Sequence, residues 1–245
     1  MLEGIRVLEL SHYYNNHYAG RMLGKFGAEA IKIEPPWGDP QRHVPPFVGD
    51  DSLHFVFYNA NKKFITPNIK KEKGRKIFFD LVRKSDIFIE NMRPSALDRL
   101  GMDYEKQKEV NPGIIYCSLT AYDEGPYKGL PGFDPVVQAF SGLVDTNDLE
   151  GQPTRLGTSG LDIVTPMMAD LAIGSALLYR NKTGEGQRLD IAMYDVAVLM
   201  SQQSIVYYLG GYPVRTGPSS FMHSPEYLFD TRDGKVYVII HTQAA

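Results

Sequence analysis

The chain has 245 residues, of which 43% are hydrophobic and 22% charged, with a formal net charge of -3 at pH 7. That composition describes an ordinary globular protein, long enough for one large domain or one domain and the start of another. The slight acidic excess gives no electrostatic reason to expect nucleic acid or an anionic membrane as a partner. No uninterrupted apolar run reaches the ~20 residues of a membrane-spanning helix. The single cysteine, Cys117, cannot form an internal disulfide, and the Met1-Leu-Glu-Gly-Ile-Arg6 start lacks the basic-then-apolar pattern of a secretion signal; the expected location is the cytoplasm.

Taken in order, Ile5 to Leu10 is a strand rich in branched residues, and Tyr18 to Phe26 a helix stopped by Gly27. Ala30 to Glu34 is a second strand, ended by Pro35-Pro36. Strand, helix and strand in this span make a parallel crossover unit, whose loops at the carboxyl ends of the strands are where ligands usually bind. Asp51 to Ala60 reads as a helix, Phe64 to Thr66 as extended, and Lys70 to Arg83 as a helix with a basic outer face. Ile87 to Glu90 is a strand, Ser95 to Leu100 a short helix closed by Gly101, and Ile114 to Ser118 a strand. Pro135 to Leu143, Pro166 to Asn181 and Met193 to Leu209 read as helices, with Arg188 to Ala192 as an intervening strand. This alternation predicts an α/β, Rossmann-like fold with a mainly parallel sheet and flanking helices.

From Gly210 the residues favour turns. The expected organisation is therefore a large α/β domain over 1–209, a linker over 210–226 and the beginning of a smaller domain over 227–245, with a hairpin turn at Arg232-Asp-Gly234.

Several chemistries find no support. No G-x-G-x-x-G lies between a strand and a helix, and there is no phosphate-loop lysine motif. The six histidines lack metal-ligand spacing, so no metal is expected. Cys117 sits in an apolar strand pattern and reads as core. Lys62, Lys63, Arg93 and Arg99 are either phosphate contacts or a solvated basic surface.

Asp162 carries the chemical question. It precedes a buried helix, where an aspartate commonly serves as the N-cap. Thr165-Pro166 is the better start signal, with threonine as cap and proline at the first helical position. If Thr165 caps, Asp162 is left in the preceding loop near the positive helix end, as an ionised carboxylate able to attack an activated acyl group such as a thioester.

The runs Gly4-Ile-Arg-Val-Leu-Glu-Leu10, Gly27-Ala-Glu-Ala-Ile-Lys-Ile-Glu34, Gly38-Asp39 with Arg42, Asn61-Lys-Lys63, Glu90-Asn-Met-Arg-Pro94 and Leu97-Asp-Arg-Leu-Gly101 together resemble the class III CoA-transferases. Gly132-Phe-Asp134, Gln138-Ala-Phe-Ser-Gly142, Asp162 and Arg180-x-x-Thr-Gly-x-Gly-Gln187 extend the likeness over nearly the whole chain. This family includes formyl-CoA, carnitine and succinyl-type transferases and, as relatives, the α-methylacyl-CoA racemases.

The resemblance implies an acyl-CoA:carboxylate CoA-transferase with Asp162 as nucleophile, working through aspartyl acyl and CoA intermediates. It implies that Asn91, Met92 and Arg99 line the CoA site and that Tyr122 lies near the pantetheine arm. The implied partners are an acyl-CoA and a small carboxylic acid, with no tightly bound cofactor; the implied assembly is a homodimer, interlocked when the chain is of full family length. Two alternatives are a racemase-like isomerase and a shortened CoA-binding or assembly subunit with little activity alone. Racemases carry a histidine base directly before an aspartate where this chain has Phe133-Asp134, which favours transfer. Asn16-His17 stands where many relatives have Gly-Pro, Tyr13-Tyr14-Asn15 is unusual in a loop that the resemblance places against CoA, and Thr120 stands where some have lysine.

Overall fold

The computed structural model describes residues 1–93, 95–147, 152–212, 214 and 226–239. In chain order the elements are β1 Arg6–Leu10, α1 Tyr14–Lys25, β2 Glu29–Ile33, β3 Phe47–Val48, β4 Asp51–Ser52, α2 Leu53–Tyr58, β5 Lys62–Ile65, α3 Glu72–Val82, β6 Ile87–Glu90, α4 Tyr104–Val110 and β7 Ile115–Thr120. There follow α5 Asp134–Phe140, α6 Leu143–Thr146, α7 Leu161–Thr183, β8 Arg188–Ala192, α8 Met193–Met200, α9 Gln202–Leu209, β9 Glu226–Thr231 and β10 Gly234–Ile239. By internal contacts the chain divides into two compact units, Met1–Gly132 with Leu161–Met193, and Phe133–Gly160 with Tyr194–Ala245. Most of the stretch read as a linker lies outside the described residues, as do His223, His241 and the last residues of the chain.

The first unit is built on one six-stranded sheet, ordered β5-β2-β1-β6-β7-β8 and parallel throughout. The expected Rossmann-like fold is what forms. Successive residues of each strand face opposite sides, and both sides are covered. Val7, Ile87, Ile89, Ile115 and Cys117 pack under Ala19 and Leu23 of α1 and Ala169, Ile173 and Ala176 of α7. Leu8, Leu10, Phe88 and Tyr116 pack with Phe78 and Val82 of α3 on the other side. The Cys117 thiol is fully buried, and burial pushes its pKa well up, as suits a core residue. α7 is long and apolar enough to cross a membrane by length and composition alone; here its apolar face supplies one layer of the core.

Several elements differ from the sequence-based expectation: α1 begins at Tyr14 rather than Tyr18, α2 spans only Leu53–Tyr58, and the helix expected over Pro135 to Leu143 ends at Phe140. α7 begins at Leu161, so Pro166 lies inside it and Asp162 lies in its first turn rather than in a loop. Thr165 does not cap: its hydroxyl is buried and forms no hydrogen bond with any described residue. Pro166 has no N–H for the Asp162 carbonyl four residues back. Complete burial of Leu161, worth about 1.5–3 kcal/mol, and the charge of Asp162 at the positive helix end offset that loss. α4 was not expected; Asp103 caps it by accepting from the Lys106 N–H at 3.1 Å, and Asn111-Pro112 follows its end. The helix expected over Met193 to Leu209 breaks at Ser201, whose hydroxyl donates to the Ala197 carbonyl at 3.0 Å, a bond that bends helices.

In the second unit, Asp134 is buried and accepts from the Gln138 side chain at 2.5 Å, while Gln138 accepts from the Leu156 N–H at 2.9 Å. β9 and β10 form an antiparallel hairpin whose Thr231 and Gly234 face each other across the turn, where a hairpin was expected.

The sheet also buries charge. Glu9 of β1, Lys32 of β2 and Lys62 of β5 have completely buried side chains. The Lys32 ammonium lies 2.9 Å from Asp39 and 3.4 Å from Glu9, donates to the Ser11 carbonyl at 3.0 Å, and contacts Nε2 of His17. Lys62 meets the other Glu9 oxygen at 2.7 Å and donates to the His17 carbonyl at 2.8 Å. Burial alone would raise Glu9, but Lys62 and Lys32 bring it down to about 2; burial brings Lys62 down to about 8 against the pull of Glu9. His17 is driven down by burial and then by Lys32. Its neutral ring fits the geometry, with Nδ1–H donating to Gln41 at 2.7 Å and Nε2 accepting from Lys32. Lys62 is therefore a buried structural cation and no phosphate contact.

A Cβ on Gly20 of α1 would lie 2.1 Å from a Glu9 carboxylate oxygen. Gly20→Ala is expected to destabilise the protein by about 1–3 kcal/mol, and Lys32→Met by about 3–5 kcal/mol because it strands two buried carboxylates. Denaturant unfolding measures both; wild-type stability in Lys32→Met would contradict the ion-pair account.

Candidate active site

Chain order along the sheet reverses between β1 and β6, from which the strands run outward in opposite directions. A parallel sheet leaves a crevice at such a switch, beyond the carboxyl ends of the two strands. The loops bordering it here are Ser11–Tyr13 and the turn from Asn91.

Asn91 ties them together. Its side-chain oxygen accepts from the His12 N–H at 3.0 Å and its amide donates to the His12 carbonyl at 2.7 Å, so it mimics a strand partner across the switch. The Met92 N–H donates to Glu90 at 2.6 Å, and its side chain packs on the core below. Tyr122, after β7, is buried, receives the Thr120 hydroxyl on its carbonyl at 3.1 Å, and lies 5.9 Å from the Tyr127 ring. Arg99 stands on a 3-10 turn, Asp98–Leu100, closed by Gly101 in the left-handed region. It is exposed, as is Arg93, and its guanidinium has no partner among the described residues. Lys63 is exposed and pairs with Glu29 at 2.6 Å.

Asp162 is half-buried at the start of α7, where free N–H groups and the helix dipole favour a negative charge. Two tyrosines sense it. The Tyr14 and Tyr58 phenols are both raised, first by burial and then by the charge of Asp162. Their rings meet edge-on at 5.1 Å, Tyr14 meets His54 at 5.4 Å, and Tyr18 tilts against Tyr58 at 6.3 Å. Sequence reasoning marked Tyr14 only as unusual in the loop after the first strand and did not select Tyr18, His54 or Tyr58. The signal lay in the spacing of Tyr14, Tyr18 and Arg21, one face of a helix that starts four residues earlier than expected.

Asp170, two turns further along α7, has a buried side-chain oxygen with no hydrogen-bond partner among the described residues, and burial pushes its pKa up to about 8. Among the described residues, no group of three or more His, Cys, Asp and Glu is placed to hold a metal ion. Phe133, where a racemase-like base would stand, is largely exposed.

The family model described as CoA-transferase family III matches residues 2–245. The acetyl-CoA:oxalate CoA-transferase of Acetobacter aceti is 38% identical over 243 residues, 97% of this chain and 62% of its own length. The succinyl-CoA:glutarate CoA-transferase of Homo sapiens is 37% identical over 97% of this chain and 56% of its own length. A CAIB/BAIF family protein from Brucella suis superposes with a TM-score of 0.88 at 32% identity, covering 96% of this chain and 64% of that one. The chain thus spans less than two thirds of the relatives it matches.

The Asp170 carboxyl has a pKa near 3.8 when unfolded and about 8 when folded, so the folded state holds its proton more tightly. Its contribution to stability is complete below about pH 4, falls as pH rises from 4 to 8, and is flat above, with a slope under about 1.4 kcal/mol per pH unit. Subtracting the melting profile of Asp170→Asn from that of wild type isolates this fall; parallel profiles between pH 4 and 8 would contradict it.

Proposed function

The chain belongs to CoA-transferase family III, and on that premise we propose that it moves coenzyme A from an acyl-CoA to a small carboxylic acid, with Asp162 as the nucleophile. A carboxylate oxygen of Asp162 attacks the thioester carbonyl; the C–S bond breaks and its electron pair leaves on sulfur, giving an acyl-aspartyl anhydride and CoA thiolate. The thiolate attacks the aspartyl carbonyl and expels the donor acid, leaving an aspartyl-CoA thioester. The acceptor carboxylate attacks that thioester and releases the thiolate, which then takes the acyl group from the new anhydride. The product acyl-CoA departs and Asp162 is a carboxylate again.

The observation that carries this reading is the position of Asp162 in the first turn of α7, beside two phenols. Backbone N–H groups there can bind the oxyanions of each addition step. We further propose that Asn91, Met92, Arg99 and Tyr122 border the bound CoA, whose remote nucleotide would help position the carbonyl. The Asn91 bridge to His12 supports a shaped crevice at the sheet switch. Relatives are named for acetyl-CoA or succinyl-CoA with oxalate or glutarate, which supports a small carboxylic acid as acceptor. No tightly bound cofactor takes part in this scheme, and the assembly proposed is a cytoplasmic homodimer. An α-proton transfer reaction finds no base at Phe133.

Incubation with acetyl-CoA without an acceptor, followed by a hydroxylamine or borohydride quench, should yield a mass change on the peptide holding Asp162. Asp162→Asn should lower turnover by roughly 10³-fold or more. An Asp162→Ala variant that retained transfer would overturn the mechanism.

A further inference from the structure

Arg21 is a half-buried cation without an anion among the described residues. Its guanidinium stacks 4.1 Å from the centre of the Phe57 ring, its Nε is buried with no hydrogen-bond partner, and it forms no ion pair with any described residue. Stacking of this kind satisfies the face of a guanidinium and leaves its N–H edge available for a carboxylate. Leaving such a charge partly desolvated is unfavourable unless an anion completes it.

Its neighbours follow from helix periodicity. Tyr14, Tyr18 and Arg21 recur at four- and three-residue spacing on one face of α1, and His54, Phe57 and Tyr58 do the same on α2. The ring and stacking contacts join the two faces into one strip. At one end Tyr14 and Tyr58 sense Asp162; at the other, Arg21 also acts on the Tyr58 phenol. Tyr14 and Arg21 are seven residues apart, about 10 Å along the helix axis, and side chains on a helix lean back toward its start. The hydroxyls of Tyr14 and Tyr58 form no hydrogen bond with any described residue, although both side chains are half-buried. Their raised pKa values keep both protonated, so they remain donors beside a negative charge.

This strip holds two kinds of unused donor, spaced along a line that starts at the nucleophile. We propose that it is the acceptor subsite and selects a short dicarboxylic acid, with Tyr14 and Tyr58 donating to the reacting carboxylate and Arg21 binding the distal one. The proposal rests on the reading of Asp162 as nucleophile, since that carboxylate defines the reacting end. Phenols suit that end because they neutralise no charge on the attacking carboxylate and leave it nucleophilic. Arg21 suits the far end because it adds affinity only for an acid that carries a second charge.

Comparing succinate with butyrate as acceptors, acetyl-CoA being the donor, separates the two roles. Arg21→Met is expected to lower the succinate-to-butyrate ratio of kcat/KM by roughly 10–100-fold, and Arg21→Lys, which keeps the charge, by less. Tyr14→Phe preserves the ring packing and should raise KM for both acids together by a similar factor. A merely structural role would depress both acids alike in Arg21→Met and leave the ratio unchanged; that result, or an unchanged KM in Tyr14→Phe, overturns the proposal. Wild-type protein that showed no adduct on Asp162 would instead overturn the nucleophile assignment. A normal adduct with an unchanged ratio would overturn the subsite alone.

Discussion

The first unit depends on a lysine ammonium buried in its sheet. Lys32 has no route to water, so Glu9 and Asp39 must be ionised beside it, and each of them needs it in turn. Burial would otherwise raise Asp39, yet His12 and Lys32 hold it far below the usual carboxylate range. Lys62 closes the set from β5. These charges come from three adjacent strands and the turn after β2, so the network fixes the order of the strands as well as their spacing.

The same network orients α1. Lys62 donates to a carbonyl of that helix, His17 sits among the charges, and Gly20 lies against Glu9. With residues 17 and 20 held inward, the face carrying Tyr14, Tyr18 and Arg21 is turned about a quarter revolution away, toward α2. α1 also packs along α7, whose first turn carries Asp162. A charge network inside the sheet therefore governs which face of α1 is turned toward α2 and the proposed nucleophile. Asn91 makes the complementary contribution by joining the loops on either side of the sheet switch.

Much of the architecture was legible because it rests on local pattern. Branched strands, glycine stops and Pro35-Pro36 mark the parallel alternation well, and Asp162 was selectable by its position before an apolar helix. The ion network was not legible, because Glu9 and Lys32 occupy strand positions where charge normally signals a solvent-facing side chain, and their partners lie far off in sequence. Several residues that carry the family likeness, among them Glu9, Lys32, Glu34, Asp39, Arg42 and Lys62, serve this charge structure; Arg42, for instance, grips Glu34 with two bonds of 2.9 Å. The helix start at Leu161 was hidden by Thr165-Pro166, a strong local signal outweighed by burial of Leu161. The aromatic strip was hidden because it needs α1 to begin at Tyr14, where three polar residues, Asn15, Asn16 and His17, are buried within the helix.

Oxygen exchange tests the central claim most directly. In the proposed sequence one acceptor oxygen becomes the bridge of the second anhydride and stays on Asp162 when CoA leaves with the new acyl group. A single turnover with ¹⁸O-labelled succinate as acceptor should therefore place one ¹⁸O in the peptide containing Asp162. Active protein whose Asp162 peptide gained no label would contradict the aspartyl pathway.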